Sequence, residues 1–192
     1  MRSIVPKLAM AAALAAAFHG SPVLAESVAL QFDPAHTKVE FTLADVLHTV
    51  HGSFALERGD ITFDTATGKS TGEWVVDAAS GDSGSGARDR RMHQNVLESG
   101  RYPEIVFRPD HLEGKVAPQG VSQVWLHGTF SIHGAGHEIT VPVTVDVKDG
   151  LYTVTASFAV PYVKWGMKNP STLFLRVSDH VDITIHASAC VH

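Results

Sequence analysis

The chain has 192 residues, a formal net charge of −5 and one cysteine, Cys190. An acidic chain without a basic stripe excludes a nucleic-acid partner held through phosphates and argues against adhesion to anionic lipid head groups. The lone cysteine excludes an internal disulfide, and the length suits one domain that buries a core without covalent staples.

Residues 1–25 read as a leader rather than as fold. Arg2 and Lys7 give a positive start, an Ala/Leu run follows, and Val23-Leu24-Ala25 places small residues before a cleavage point after Ala25. The apolar run is shorter than the roughly 20 residues a bilayer span needs. The expectation is a secretory signal peptide at 1–25 and an exported domain at 26–192. No other stretch is apolar enough to span a membrane.

The domain begins with short alternating strands at 30–32 and 39–43 around the turn-forming Asp33-Pro34-Ala35-His36. Further strands are predicted at 48–54 and 60–63, separated by Glu57-Arg58-Gly59, and at 73–79 after a turn at 64–68. Residues 80–86 are rich in Gly, Ser and Asp and read as a loop. The period then changes. Residues 87–99 contain no Pro or Gly and put Met92, Val96 and Leu97 at helical spacing, with Gly100 in the place of a C-cap glycine. One short amphipathic helix in a β meander must bury its stripe, most simply over a barrel end or groove.

Strands resume at 105–107 and 110–115. The stretch 121–147 then reads as a long hairpin. Val124, Leu126, Phe130 and Ile132 share one parity, as do Ile139, Val141, Val143, Val145 and Val147, with Gly134-Ala135-Gly136 as the turn between them. Trp125 interrupts the polar face. Asp149-Gly150 signals another tight turn, and runs at 151–160 and 181–189 complete the set. Between those runs, 161–180 holds Pro161 and Pro170 without alternation, which predicts an irregular crossing. The total is an all-β domain of about eight antiparallel strands with one helix. Closure into a barrel removes exposed edges, but a two-sheet sandwich has the same alternation.

At Arg101-Tyr102-Pro103-Glu104-Ile105-Val106-Phe107 the chain resembles the YceI-like family of exported bacterial proteins, which share a "KYP-x-I-x-F" strand entry. Further matches follow in the family's order: Phe32-Asp33-Pro34-Ala35-His36-Thr37, Val50-His51-Gly52-Ser53-Phe54, Gly59 to Asp64, Arg88-Asp89 with Met92-His93, Gly128 to Gly134, and Val177-Ser178-Asp179-His180-Val181. The resemblance implies a lipocalin-like antiparallel barrel with a long apolar cavity for an amphiphile such as a polyisoprenoid lipid or a quinone. It also implies the periplasm as the compartment, and it is compatible with a homodimer. Two places depart from the family pattern. Tyr162-Val163-Lys164-Trp165-Gly166 stands where many members have "N-R-x-D-F-G", and His137 stands where a Lys is common.

If the barrel holds a ligand, its apolar lining is expected from Phe41 and Leu43, from Val50, Phe54, Ile61 and Phe63, and from Trp74 and Phe107. The hairpin adds Leu126, Phe130 and Ile132, a later strand adds Phe158, and the helix adds Met92 and Leu97. The alternative is that these side chains simply fill a closed core. Arg88 and His93, on the helix near an open end, are the candidate head-group contacts. A solvated helix start is the competing reading for Arg88 and its neighbour Asp89.

The 12 histidines raise a rival reading as a metal-binding or stress protein, with His133 and His137 flanking the central turn near His48, His51 or His111. No metal-binding or redox motif supports it, and no metal site is assigned. No nucleophile elbow is present, and Asp33, His36 and Ser53 sit in turn and strand contexts rather than in a triad. The chain is therefore read as a binding protein and not an enzyme. It requires no cofactor, and a structural interaction module with a filled core is the third reading.

Overall fold

Inward-facing apolar side chains at every second position require each strand to have a neighbour on both sides, and the chain satisfies this by closing on itself. The computed structural model describes residues 27–44, 48–172 and 176–192, so the leader read at 1–25 lies outside the described residues. The strands are β1 (Ser27–Phe32), β2 (Lys38–Ala44), β3 (Thr49–Asp64), β4 (Ser70–Asp82), β5 (Glu104–Glu113), β6 (Gly120–Ile132), β7 (Ala135–Lys148), β8 (Leu151–Val160) and β9 (Val181–Val191). The helix α1 (Gly86–Arg91) continues directly into a π-helical turn, Met92–Val96.

All pairings are antiparallel. Neighbours run β2-β9-β8-β7-β6-β5-β4, and β3 pairs with both β4 and β2, which closes the ring. β1 and β2 occupy one position, because each lies between β3 and β9. The 3-10 turn Pro34–His36 joins them. There the Asp33 carboxylate caps Ala35 N at 2.8 Å and meets His36 Nδ1 at 2.6 Å. The result is a barrel with eight strand positions, which excludes the sandwich.

Two strands are longer than their sequence suggests, for one reason. In β3 the inward residues are even-numbered up to Leu56 and odd-numbered from Gly59 onward, and a bulge between Leu56 and Arg58 absorbs the change. Segments predicted as separate strands at 48–54 and 60–63 are thus one strand of 16 residues. β5 does the same between Pro109 and His111, fusing the predicted 105–107 and 110–115. A bulge inserts one unpaired residue and so reverses facing. Pro109, which cannot donate to a ladder, sits at that irregularity.

Three further boundaries differ from expectation. The central reversal is His133-Gly134, both with positive φ (52° and 77°), and Ile132 faces Ala135 directly. The turn therefore precedes the Gly134-Ala135-Gly136 reading by one residue. Regular helix ends at Val96, and the left-handed residue that terminates this segment is Glu98 (φ 48°), not Gly100. β4 extends to Asp82, so the loop predicted at 80–86 is shorter. Asp149-Gly150 joins β7 to β8 as predicted, with φ of 51° and 80°.

Buried residues form two connected groups. One holds Leu30, Phe32, Ile61, Phe63 and Trp74 with the β6–β7 valines. The other joins Leu97, Phe130, Ile132, Val160, Tyr162 and Met167 at the helix end. The outer wall has its own buried pair. Val75 and Val106 face each other outward yet are 0 % and 6 % exposed, and the ion-paired Arg58, Glu73, Glu104 and Arg108 flank them in register. The stems of such side chains can cover apolar surface while their charges stay wet.

Gly128 lies opposite Pro109 at the β5 bulge, and a Cβ there would overlap the Arg108 carbonyl oxygen. Gly100, by contrast, has open space where its Cβ would be. Gly128→Ala is expected to cost about 2 kcal/mol or more in urea unfolding, and Gly100→Ala to change stability by about 0.5 kcal/mol or less. Equal effects would remove the close β5–β6 approach from the account of closure.

Candidate functional site

Inside the ring lies a cavity of about 260 Å³ (the space open to the centres of water-sized molecules) that runs the length of the barrel. Every residue expected to line it does so. Phe41 and Leu43 come from β2, Val50, Phe54, Ile61 and Phe63 from β3, Trp74 from β4 and Phe107 from β5. Leu126, Phe130 and Ile132 come from β6 and Phe158 from β8, while Met92 and Leu97 reach in from the helical segment. The expectation missed equal contributions from β1 (Leu30, Phe32), β7 (Val141, Val143, Val145) and β9 (Ile183, Ile185). Their parity carried the signal, since each is the inward member of an alternating strand.

The wall is almost wholly apolar. Trp74 Nε1 is buried without a hydrogen-bond partner, and its ring meets Phe32 edge-on at 4.8 Å. Polar groups concentrate at the end that carries the helix, where Ser83, Arg88, Arg91 and Tyr162 join the lining. The opposite end is ringed by the β3–β4 and β7–β8 turns.

The helix is fastened over its end by a compact polar set. Ser83 donates from its backbone N to Asp89 Oδ1 at 3.0 Å and also from its hydroxyl to the same oxygen. Arg88 Nε donates to the Ser83 hydroxyl and Nη2 to the Ser83 carbonyl, both at 2.8 Å. The Ser83 hydroxyl bond holds the Asp89 carboxyl below the usual aspartate range, aided by the backbone N–H and by Arg88 and His93, while partial burial opposes the shift. His93 does not line the cavity. Its Nε2 meets the Gly81 carbonyl at 2.9 Å and its Nδ1 meets the Ser99 hydroxyl at 3.2 Å. Arg88 reaches the cavity but is committed to Ser83. Arg88 and Asp89 are therefore not merely a solvated helix start, because both are tied to the loop before it. The cation that sequence reasoning missed is Arg91, one helical turn further along the mouth.

The crossing after β8 packs over the same end. Tyr162 donates its hydroxyl to the Ser178 carbonyl at 2.6 Å, and burial, with Asp179 adding, pushes its pKa up to about 12. Trp165 stacks on His137 with ring centroids 4.1 Å apart and planes 4° apart, and lies 5.7 Å from Phe130. His133 instead stands 4.7 Å from the Tyr102 ring and 3.7 Å from the Glu98 carboxylate. The two histidines thus turn to different partners. His111 faces His127 on the outer wall at 6.0 Å, and among the described residues no three His, Cys, Asp or Glu side chains group as a metal site. The Asp33–His36 pair belongs to the 3-10 turn. Cys190 is exposed and unpaired. Among the described residues no helix is long and apolar enough to cross a membrane.

A closed eight-position barrel, a through-running apolar cavity and one helix over its polar end place this fold among known ones. The sequence profile of the YceI-like domain matches residues 30–189. The chain belongs to the YceI-like family. Among solved structures it is similar to BcnA of Burkholderia cenocepacia, with a TM-score of 0.67 and 19% identity, covering 82% of this chain and 98% of that one. A polyisoprenoid-binding domain from Saccharophagus degradans gives 0.66 at 13% identity, covering 86% and 99%. The YceI protein of Campylobacter jejuni gives 0.60 at 19%, covering 75% and 86%. A comparison with curated protein sequences finds no match. At these identities the solved structures speak for the fold, and the lipocalin-like YceI barrel expected from the motifs is the one observed.

The lowered Asp89 carboxyl has a pH consequence. A carboxyl whose folded pKa is depressed contributes stability above its unfolded pKa and loses it as pH falls through the folded value. Between about pH 5 and pH 2 the thermal midpoint of the native chain should therefore drop more steeply than that of Asp89→Asn. Parallel melting curves for the two proteins would mean that the Ser83 tie contributes nothing to holding the helix.

Proposed function

We propose that this protein is an exported carrier that sequesters a long-chain isoprenoid, polyprenyl or quinone, or a similar amphiphile, in its barrel. The observation that carries the reading is the cavity itself. Its apolar side chains come from every strand, and its polar groups gather at one end. Each tail CH₂ buried there gains roughly 0.8 kcal/mol, whereas one net hydrogen bond gives about 1 kcal/mol. Several methylenes outweigh any head-group contact, so tail length sets affinity and the mouth sets selectivity. The polyisoprenoid-binding domain from Saccharophagus degradans supports the reading by shared fold. Export rests on the leader pattern at 1–25 and the periplasm on the resemblance to the family, and the carrier works by binding rather than by catalysis.

Solvent extraction of the purified protein followed by mass spectrometry tests this directly. A stoichiometric isoprenoid or acyl species is the expected result. An empty extract, with no uptake of added quinone or prenyl lipid, would favour a filled structural barrel.

Ala156 supplies a second test. It faces Val143 across the β7–β8 ladder, points inward and lines the cavity. In a filled core Ala156→Phe would overpack and cost about 1–3 kcal/mol. In a ligand cavity the ring has room, so the variant is expected to fold with little stability loss and to exclude the longest tails. Unchanged loading of long prenyl chains by a folded Ala156→Phe protein would count against the cavity assignment.

A further inference from the structure

The cavity is finished differently at the end away from the helix. Among the described residues, its lining outside the strands belongs to the helix-covered end with one exception, Val116, in the segment 114–119 between β5 and β6. We propose that Val116 and Tyr152 form a stop at this far end, which fixes how long a prenyl tail the barrel accepts. The proposal rests on the tail-binding reading above and adds a length limit to it.

The path of the chain brings Val116 to this place. The β5–β6 ladder ends where Glu113 faces Trp125, yet β6 begins at Gly120 and pairs with β7 alone over residues 120–124. The chain therefore leaves the sheet after Glu113 and crosses before it returns at Gly120. Both ends of the crossing take positive φ, 107° at Gly114 and 85° at Gly120, which glycine adopts without steric cost. Ser122 then draws the segment inward. It shares the inward parity of Val124 and Leu126, is buried, and faces Val145 across the ladder. A buried hydroxyl costs free energy unless it is hydrogen-bonded, and this one accepts from Ala117 N at 2.9 Å. The bond holds the adjoining Val116 against the core.

Behind the stop the barrel is filled. Val147, Ala187 and Ala189 lie inward near the strand ends and are buried, but none of them lines the cavity. Tyr152 faces Val147 on one side and Ala189 on the other, and of these three only Tyr152 reaches the cavity. A tail running down from the helix end thus meets Val116 and Tyr152 with packed side chains behind them. A tail longer than the space has two courses. It leaves methylenes in water at the mouth, forgoing their burial, or it displaces Val116 and breaks the Ala117–Ser122 bond. Both courses penalise length beyond the fit.

The test offers delipidated protein an equimolar ladder of prenyl alcohols from farnesol through geranylgeraniol to solanesol. The alcohols retained are extracted and quantified by mass spectrometry, and the longest one held by each protein is read. The native chain is expected to show a sharp upper limit. In Val116→Gly/Tyr152→Ala, retention of the first alcohol beyond that limit should rise about tenfold or more. Ser122→Ala, which frees the segment, should move the limit in the same direction. Val116→Phe should move it the other way, with about tenfold less of the longest alcohol the native chain holds. Because Val116 lies outside the strands, this variant keeps the test decisive even where the double variant does not fold. Absence of an upper limit in the native chain, or the same limit in folded Val116→Phe, would overturn the stop while leaving tail binding intact. Retention of no alcohol by the native chain would overturn the tail-binding reading and this proposal together.

Discussion

Ring closure of the backbone ladder is the constraint on which the rest of this protein depends. An open sheet with one apolar face would need a second layer to cover it, and here no second layer exists. Pairing β3 with β4, and letting β1 and β2 share one position against β9, gives every ladder position a neighbour and turns the apolar face inward. Closure also demands that the apolar parity stay inside along strands long enough to tilt around the axis. The bulges at Glu57 and Asp110 do this, because each lets a strand whose apolar alternation shifts by one residue keep both halves facing in. Glycine completes the fit where walls approach. A side chain at Gly59 would press on Trp74 and Phe32 at 3.1 and 3.3 Å, so its absence makes room for the indole inside the ring.

Eight positions enclose more volume than these side chains fill, and the two ends are finished differently. At one end tight turns bring the strands back. At the other, the helical segment and the crossing after β8 lie over the opening, and both are held by polar ties to the barrel rather than by apolar packing alone. Ser83 anchors the helix through Arg88 and Asp89, His93 clamps its far side to Gly81, and the Tyr162 hydroxyl fixes the crossing to Ser178. These ties commit Arg88, Asp89 and His93 to structure.

The two departures from the family pattern contact each other. Trp165 lies in the altered 162–166 stretch, His137 replaces a common lysine, and the two rings stack face to face. A lysine at 137 would place an ammonium against the indole, whereas the histidine offers a flat partner. The buried His137 Nε2 has no hydrogen-bond partner, which sets this stack apart from the hydrogen-bonded ties around it.

Much of this architecture was legible in the chain. Period-two alternation located most strand cores, Asp149-Gly150 marked its hairpin, and the change of period at 87–99 announced the helix. All the apolar residues expected in the cavity are there, because facing on a strand follows from spacing alone once the strand is known. Spacing fails at a bulge, where two residues oppose one. Alternation therefore broke β3 and β5 into separate pieces that the ladder joins. Turn geometry was equally local but was misplaced by one residue, since His133 takes the positive φ that composition assigns to glycine. What the sequence by itself determined is which residues face inward and that they are apolar. Tertiary structure alone decided that the sheet closes, that the enclosed space is left open, and which cations stay free. Those outcomes depend on contacts between residues far apart in the chain, such as Arg58 with Glu104 and Arg108 with Glu73, and no local pattern encodes which arginine finds such a partner.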